Sequence, residues 1–142
     1  MGLKSIVSGL FLLLVFSSVY AAEVTVYKSP SCGCCKKWIS HLRNNGFDVV
    51  AKDVGNVNRI KSQLGIQPKL ASCHTAIVDG YLVEGHVPAA DIRRLLKNKP
   101  DIKGLTVPGM PMGSPGMEGP RKDKYEVLSI GHDGKTKVYS KH

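Results

Sequence analysis

The chain has 142 residues, of which 42% are hydrophobic, with 20 lysine and arginine residues against 11 aspartate and glutamate residues. This composition is ordinary for a single small globular domain. The formal charge of +9 is spread along the chain among acidic residues, so no block of like charge suggests a tail that binds nucleic acid. We therefore expect no nucleic-acid partner, and a basic surface that keeps the protein soluble or docks an acidic partner.

Residues 1–21 have the pattern of a secretory signal peptide. Lys4 supplies a positive charge, residues 6–16 are apolar, and small residues precede Ala22, where we expect cleavage. The apolar stretch is too short for a membrane span of about 20 residues, and no later stretch approaches that length. The sequence thus predicts an exported, soluble mature chain of residues 22–142, with no membrane span after signal cleavage.

The first part of the mature chain predicts a βαβ unit followed by a short helix. Alternating and helical spacings of apolar residues place the elements at Glu23–Tyr27 (strand), Cys34–Asn45 (helix), Phe47–Asp53 (strand) and Val57–Leu64 (helix). Because a helix separates the two strands, we expect them to be parallel, joined by a right-handed crossover.

The next part predicts a hairpin and a third helix. Asp79-Gly80 is a strong signal for a two-residue turn between strands at Thr75–Val78 and Tyr81–Val83. The third helix starts at Pro88 and ends before Pro100. The predicted order β-α-β-α-β-β-α is that of a thioredoxin-like α/β fold, with a central mixed sheet and flanking helices.

A Gly/Pro/Met-rich loop at residues 103–120 separates this core from a closing β-hairpin. From Gly104 to Pro120, glycine or proline occurs at nearly every other position, so we expect no regular structure there. The loop is longer than most connections, which is typical of functional or disordered segments, and its three methionines favour a function. The C-terminal hairpin is predicted at Tyr125–Ile130 and Thr136–Tyr139.

Three cysteines occupy one turn between the first strand and the first helix. Cys32 and Cys35 form a C-x-x-C pair, which suits a disulfide or joint metal ligation. Cys34 adds a third sulfur that interferes with dithiol exchange but suits the bridging of soft metal ions. This favours metal binding. The alternative is a Cys32–Cys35 disulfide, with Cys34 free or paired with Cys73, as expected in an oxidising compartment.

Further soft or borderline donors lie elsewhere in the chain. Cys73 precedes the third strand, and a thioredoxin-like order brings that junction towards the Cys32 loop. His74 and His86 are candidates either for metal ligands or for hydrogen-bonded loop residues. The remaining three histidines are interpreted as surface residues: His41, His132 and His142.

The loop methionines lie among glycines and prolines rather than on a helix face, which weakens the usual explanation that methionine fills a core. Thioether and thiolate donors together select Cu(I) over magnesium, calcium or manganese. We therefore interpret Met110 and Met117 as candidate copper ligands, with packing or partner docking as the alternative.

Four motifs in one order resemble the CopG-type copper-resistance proteins. They are Cys32-Gly33-Cys34-Cys35-Lys36-Lys37-Trp38, Ser72-Cys73-His74-Thr75-Ala76, Glu84-Gly85-His86-Val87-Pro88 and Val107-Pro108-Gly109-Met110-Pro111. The resemblance implies a periplasmic, thioredoxin-like protein that binds copper in copper resistance. The ligands it implies are Cys32, Cys34, Cys35, Cys73, His86, Met110 and Met117. Met112 occupies a variable position of the pattern.

The resemblance also implies that copper is bound as Cu(I), or as a multinuclear cluster that changes redox state. Copper ions and other periplasmic copper-handling proteins are then the expected partners. Thioredoxins place a proline before the third strand, where this chain has His74, and that departure favours a metal site. The alternatives are a thiol–disulfide oxidoreductase that uses Cys32 and Cys35, and a copper-dependent redox enzyme.

Overall fold

Seven strands and three helices follow one another in the computed structural model, which describes residues 21–142. They are β1 (Glu23–Lys28), α1 (Gly33–Asn44), β2 (Asp48–Asp53), α2 (Val57–Gln63), β3 (Thr75–Val78), β4 (Tyr81–Glu84), α3 (Ala89–Asn98), β5 (Gly104–Thr106), β6 (Glu126–Ile130) and β7 (Thr136–Lys141). The signal peptide predicted for residues 1–21 lies outside the described residues, apart from Ala21. Within the described range, no helix is long and apolar enough to cross a membrane.

All seven strands belong to one mixed sheet, in the order β2-β1-β3-β4-β5-β6-β7. The pair β1–β2 is parallel, as predicted for a βαβ unit, and β4–β5 is parallel across α3. The other neighbouring pairs are antiparallel. The mixed α/β class and the C-terminal hairpin predicted from the sequence are therefore confirmed.

Local sequence signals explain several element boundaries. The Cys32 side chain caps α1 by accepting a hydrogen bond from the Cys35 N–H at 3.3 Å. The β3–β4 turn needs positive φ at both central residues, and Asp79 and Gly80 supply it with φ of 47° and 79°. The core lies between helices and sheet; its fully buried members include Val24, Val26, Trp38, Leu42, Ile92 and Leu95.

The prediction of a loop from Gly104 to Pro120 is wrong for its first three residues, which form β5. β5 is buried between β4 and β6, and the Thr106 hydroxyl donates to the Leu70 carbonyl at 2.8 Å. The Leu82 backbone lies so close to Gly104 that a side chain would not fit there. Pairing with two neighbouring strands thus overrides a composition that is poor for strands. Residues 107–125 contain no helix or strand.

Candidate metal centre

The four cysteine sulfurs converge at the N-terminus of α1. Pairing of Tyr27 in β1 with Thr75 in β3 brings Cys73 to this end of the sheet. The Cys34 Sγ lies 3.5 Å from the Cys32 Sγ and 3.6 Å from the Cys73 Sγ. All four sulfurs lie within 4.8 Å of one another. The structure therefore shows the approach of Cys73 to the Cys32 loop that the sequence predicts.

Cys32 and Cys35 are joined by a disulfide, whereas Cys34 and Cys73 are free thiols. This disulfide is the alternative to metal binding that the cysteine spacing predicts, with Cys34 free rather than bonded to Cys73. Thiolates, and not disulfide sulfurs, are the effective ligands of soft metals. A site of four thiolates consequently requires the disulfide to be reduced first.

Cys73 is the sulfur most closely surrounded by other donors. Burial, together with the neighbouring Cys34, raises the pKa of Cys73 to about 12. Its Sγ lies 2.9 Å from the Nε2 of His86 and 3.3 Å from the Nδ1 of His74. Without a metal, Cys73 is therefore a protonated thiol that can donate to an imidazole nitrogen.

His86 is held in the orientation that a metal ligand needs. Its Nδ1 donates to the Pro115 carbonyl at 2.7 Å, so the Nε2 that faces Cys73 carries a lone pair. Burial lowers the pKa of His86, which keeps the ring neutral. Metal-binding histidines usually donate the N–H of one ring nitrogen to an oxygen acceptor such as a carbonyl, and bind the metal through the lone pair of the other nitrogen.

His74, whose role the sequence left open, has no solvent exposure. Its ring centre lies 4.3 Å from that of Trp38, and burial lowers its pKa well below the usual range. Its Nε2 is buried and has no hydrogen-bond partner among residues 21–142. His74 is thus a neutral imidazole packed directly behind the Cys73 thiol.

Sequence reasoning missed a buried ion pair between Lys61 and Glu84 that fixes the segment carrying Cys73 and His74. The Glu84 carboxylate accepts from the Ser72 N–H at 2.8 Å and from the Thr75 hydroxyl at 2.6 Å. Lys61 donates to Glu84 and, at 2.9 Å, to Thr75. Burial raises the pKa of Glu84, while the ammonium of Lys61 opposes that rise. The ion pair thereby holds both ends of the Cys73–His74 segment.

One signal for this ion pair was present in the sequence. Lys61 occurs at helical spacing from Val57 and from Leu64, so it falls on the apolar face of α2. A lysine on such a face needs a buried partner. Its partner ends an otherwise apolar strand, β4.

The loop of residues 107–125 contacts the cysteine site at two points. The Gly109 N–H donates to the Ala71 carbonyl at 3.1 Å, and the Gly109 carbonyl accepts from the Ser72 hydroxyl at 2.5 Å. Gly116 packs against the Cys34 carbonyl and the Trp38 N–H. Each contact immediately precedes one of the candidate ligands Met110 and Met117 in the chain.

The three loop methionines differ in exposure. Met110 is 52% exposed, Met117 is half-buried, and Met112 packs against Gly119.

The interpretation of His41 as a surface residue is wrong. His41 is half-buried, and its Nε2 accepts a hydrogen bond from the Ala89 N–H at 3.1 Å, at the start of α3. Burial lowers the pKa of His41, which keeps that nitrogen able to accept. His132 and His142 lie at the surface as expected.

Comparison with known proteins places these features in a family. A family profile described as "Protein of unknown function, DUF411" matches residues 70–117. No curated protein matches the chain. The solved structure "Copper resistance protein copG- Form 2" is 44% identical, with a TM-score of 0.83, over 87% of this chain and 99% of that chain. "Copper resistance protein copG- Form 1" is also 44% identical, with a TM-score of 0.81, over 87% and 98%. The chain therefore belongs to the CopG family of copper resistance proteins.

Proposed function

We propose that this protein binds copper as Cu(I) through the thiolates of Cys32, Cys34, Cys35 and Cys73, and that it acts in copper resistance in the periplasm. Copper is then its cargo rather than a resident cofactor. The observation that carries the proposal is the 3.6 Å distance between the sulfurs of Cys34 and Cys73, which lie in separate segments of the chain. The names of the similar structures support the choice of copper.

The donor set supports Cu(I) bound as a multinuclear cluster. Thiolates are soft ligands that can bridge metal ions, and four sulfurs within 4.8 Å of one another leave each ion with shared ligands. The Nε2 of His86 is the nearest donor beyond the cysteines, at 2.9 Å from the Cys73 sulfur. Met110 and Met117 complete the shell in this proposal, which is supported by the contacts of the preceding residues, Gly109 and Gly116, with the segments that carry Cys73 and Cys34.

The topology supports a thioredoxin-like arrangement of a single domain at residues 22–142. The C-x-x-C pair begins the helix of the βαβ unit, and Cys73 precedes the strand that pairs with β1. In this proposal the signal peptide is cleaved before Ala22, and the copper is exchanged with other periplasmic copper-handling proteins. Cycling of the cluster between Cu(I) and Cu(II) would make the site redox-active.

Replacement of Cys34 by serine tests the bridging role. We expect the reduced Cys34→Ser protein to bind markedly less Cu(I) per chain than the wild type in a titration against a chromophoric Cu(I) chelator. Ser31→Ala, which changes an exposed neighbouring hydroxyl, is the matched control and should bind as the wild type does. Full Cu(I) stoichiometry in Cys34→Ser would contradict a bridging Cys34.

The disulfide favours a second candidate function, that of a thiol–disulfide oxidoreductase. Cys32 caps α1 and is bonded to Cys35, an arrangement that suits dithiol exchange at a helix N-terminus. Insulin reduction by metal-free protein separates the two functions. Rapid turnover that Cys34→Ser leaves unchanged would favour the oxidoreductase, whereas slow or absent turnover would favour copper binding.

A further inference from the structure

Cys73, His74 and His86 form a second group of donors that overlaps only partly with the four sulfurs. One donor atom from each of the three lies within 4.8 Å of the others. His74 contributes nothing to the thiolate site, yet its Nδ1 is 3.3 Å from the Cys73 Sγ. Closing the Cys32–Cys35 disulfide removes two thiolates from the first group and leaves this second group intact.

The distances within the group fit one metal ion. Metal–sulfur and metal–nitrogen bonds of about 2.3 Å and about 2.0 Å at a tetrahedral angle place sulfur and nitrogen about 3.5 Å apart. The observed separations from the Cys73 Sγ are 2.9 Å to His86 and 3.3 Å to His74. A small increase in these two sulfur–nitrogen distances is therefore enough to admit an ion.

The surroundings hold these donors in place. The Pro115 carbonyl fixes the tautomer of His86, and the ring of Trp38 packs against His74. The buried Glu84 carboxylate restrains the segment that carries Cys73. The Nε2 of His74 is buried without a hydrogen-bond partner in the described chain, so the orientation of this ring depends on its packing against Trp38.

We propose that Cys73, His74 and His86 form a second metal site, which binds a divalent ion such as Zn²⁺ or Cu²⁺ while the Cys32–Cys35 disulfide is closed. The inference rests on the proposed function, because it shares Cys73 and His86 with the Cu(I) site. Binding replaces the thiol proton of Cys73 by the ion and transfers no electron. One thiolate with two imidazoles suits zinc and Cu(II), whereas a cluster of thiolates suits Cu(I). The disulfide thus decides which class of ion the chain holds.

Cobalt(II) binding to the Cys32→Ser/Cys35→Ser double variant tests the site without the four-thiolate group. Serine preserves the cap of α1, so the variant should fold, which circular dichroism can verify. Under anaerobic conditions we expect one equivalent of Co²⁺, with a thiolate-to-cobalt charge-transfer band. A further Cys73→Ser change should abolish the band, and the matched Cys34→Ser change should keep it. Absence of the band, or its dependence on Cys34 instead, would overturn the proposal.

The role of His74 is tested without substitution by nitrogen NMR of the wild-type protein with its disulfide closed. On addition of Zn²⁺ we expect the ring resonances of both His74 and His86 to shift. His74→Asn should also weaken Co²⁺ binding of the double variant by at least about tenfold, since even outer partners of a metal contribute that much. Unmoved His74 resonances together with unchanged affinity would show that His74 is no ligand.

The two functions can fail separately. The proposed function requires Cu(I) binding by the fully reduced wild type, whereas this second site requires divalent-ion binding when Cys32 and Cys35 are oxidised or replaced. Divalent-ion binding without Cu(I) binding would refute the proposed function and support the Cys73–His74–His86 site. Cu(I) binding without divalent-ion binding would refute only the Cys73–His74–His86 site.

Discussion

Glu84 has no solvent exposure, and its carboxylate is shared by Lys61, Ser72 and Thr75. We expect Lys61→Met to destabilise the metal-free, disulfide-bonded protein by about 3–5 kcal/mol, because it leaves a buried carboxylate without its counter-charge. Urea denaturation measures this loss. The double change Lys61→Met/Glu84→Gln should recover part of it, since no unpaired charge remains. A double variant less stable than Lys61→Met would contradict this account of the ion pair.

His41 makes the stability of the fold depend on pH. Burial lowers its pKa in the folded protein, so the unfolded chain binds more protons below the ordinary histidine pKa of about 6.5. The free energy of unfolding is therefore highest above that pH and decreases as the pH falls below it. We expect His41→Gln to reduce the drop in unfolding free energy between about pH 7.5 and about pH 5.5.

The control is His132→Gln, because His132 lies at the surface and, among residues 21–142, its side chain is hydrogen-bonded to Asp101 alone. It should alter the pH dependence of unfolding less than His41→Gln does. Equal pH profiles for wild type and His41→Gln would refute the role of His41.

Among individual residues, the cysteines were indicated by their type and spacing, whereas His86 was distinguished from His74 only by the resemblance to the CopG-type proteins. The sequence could not assign His41 or pair Lys61 with Glu84, because those roles arise from contacts between distant segments.

The loop of residues 107–125 positions His86 through Pro115 and Gly116. Gly116 has φ of +87°, and a side chain there would lie 2.8 Å from the Cys34 carbonyl and 2.9 Å from the Trp38 nitrogen. Gly116→Ala should therefore displace the Pro115 carbonyl from His86. We expect Cu(I) affinity to fall by about 10- to 100-fold, as for loss of an outer partner of a metal ligand. Competition with a Cu(I) chelator measures the change.

Gly46→Ala is the matched control for that substitution. Gly46, just after α1, also has positive φ, at +83°, but a side chain there would meet nothing within 4 Å. Both changes should share a backbone cost of about 1–2 kcal/mol in stability, and only Gly116→Ala should weaken Cu(I) binding. Equal Cu(I) affinities for the two variants would contradict the positioning role of the loop.

Elements with strong local signals were predictable, and those defined by distant partners were not. The β3–β4 hairpin follows from its Asp79-Gly80 turn, and α1 follows from its apolar spacing and from Gly46 after its end. β5 has only three residues, starts at a glycine and exists because β4 and β6 flank it. No local pattern distinguishes such a strand from the loop that follows it.

For the whole molecule, the order of the elements made the approach of Cys73 to the first three cysteines predictable. The redox state of the site was not, since a C-x-x-C pair suits both a disulfide and a metal. The structure adds a disulfide at Cys32–Cys35 next to two free thiols. Under the proposed function, copper binding by all four cysteines therefore requires reduction of this disulfide, so copper and free thiols have to be counted together.

The most direct test counts copper and accessible thiols on one sample of the mature protein, purified under reducing, anaerobic conditions after exposure to copper. The account predicts one or more equivalents of copper by mass spectrometry, with all four thiols masked from a thiol reagent until a copper chelator is added. Protein without copper, in which Cys32 and Cys35 form a disulfide and the other two thiols react at once, would contradict it.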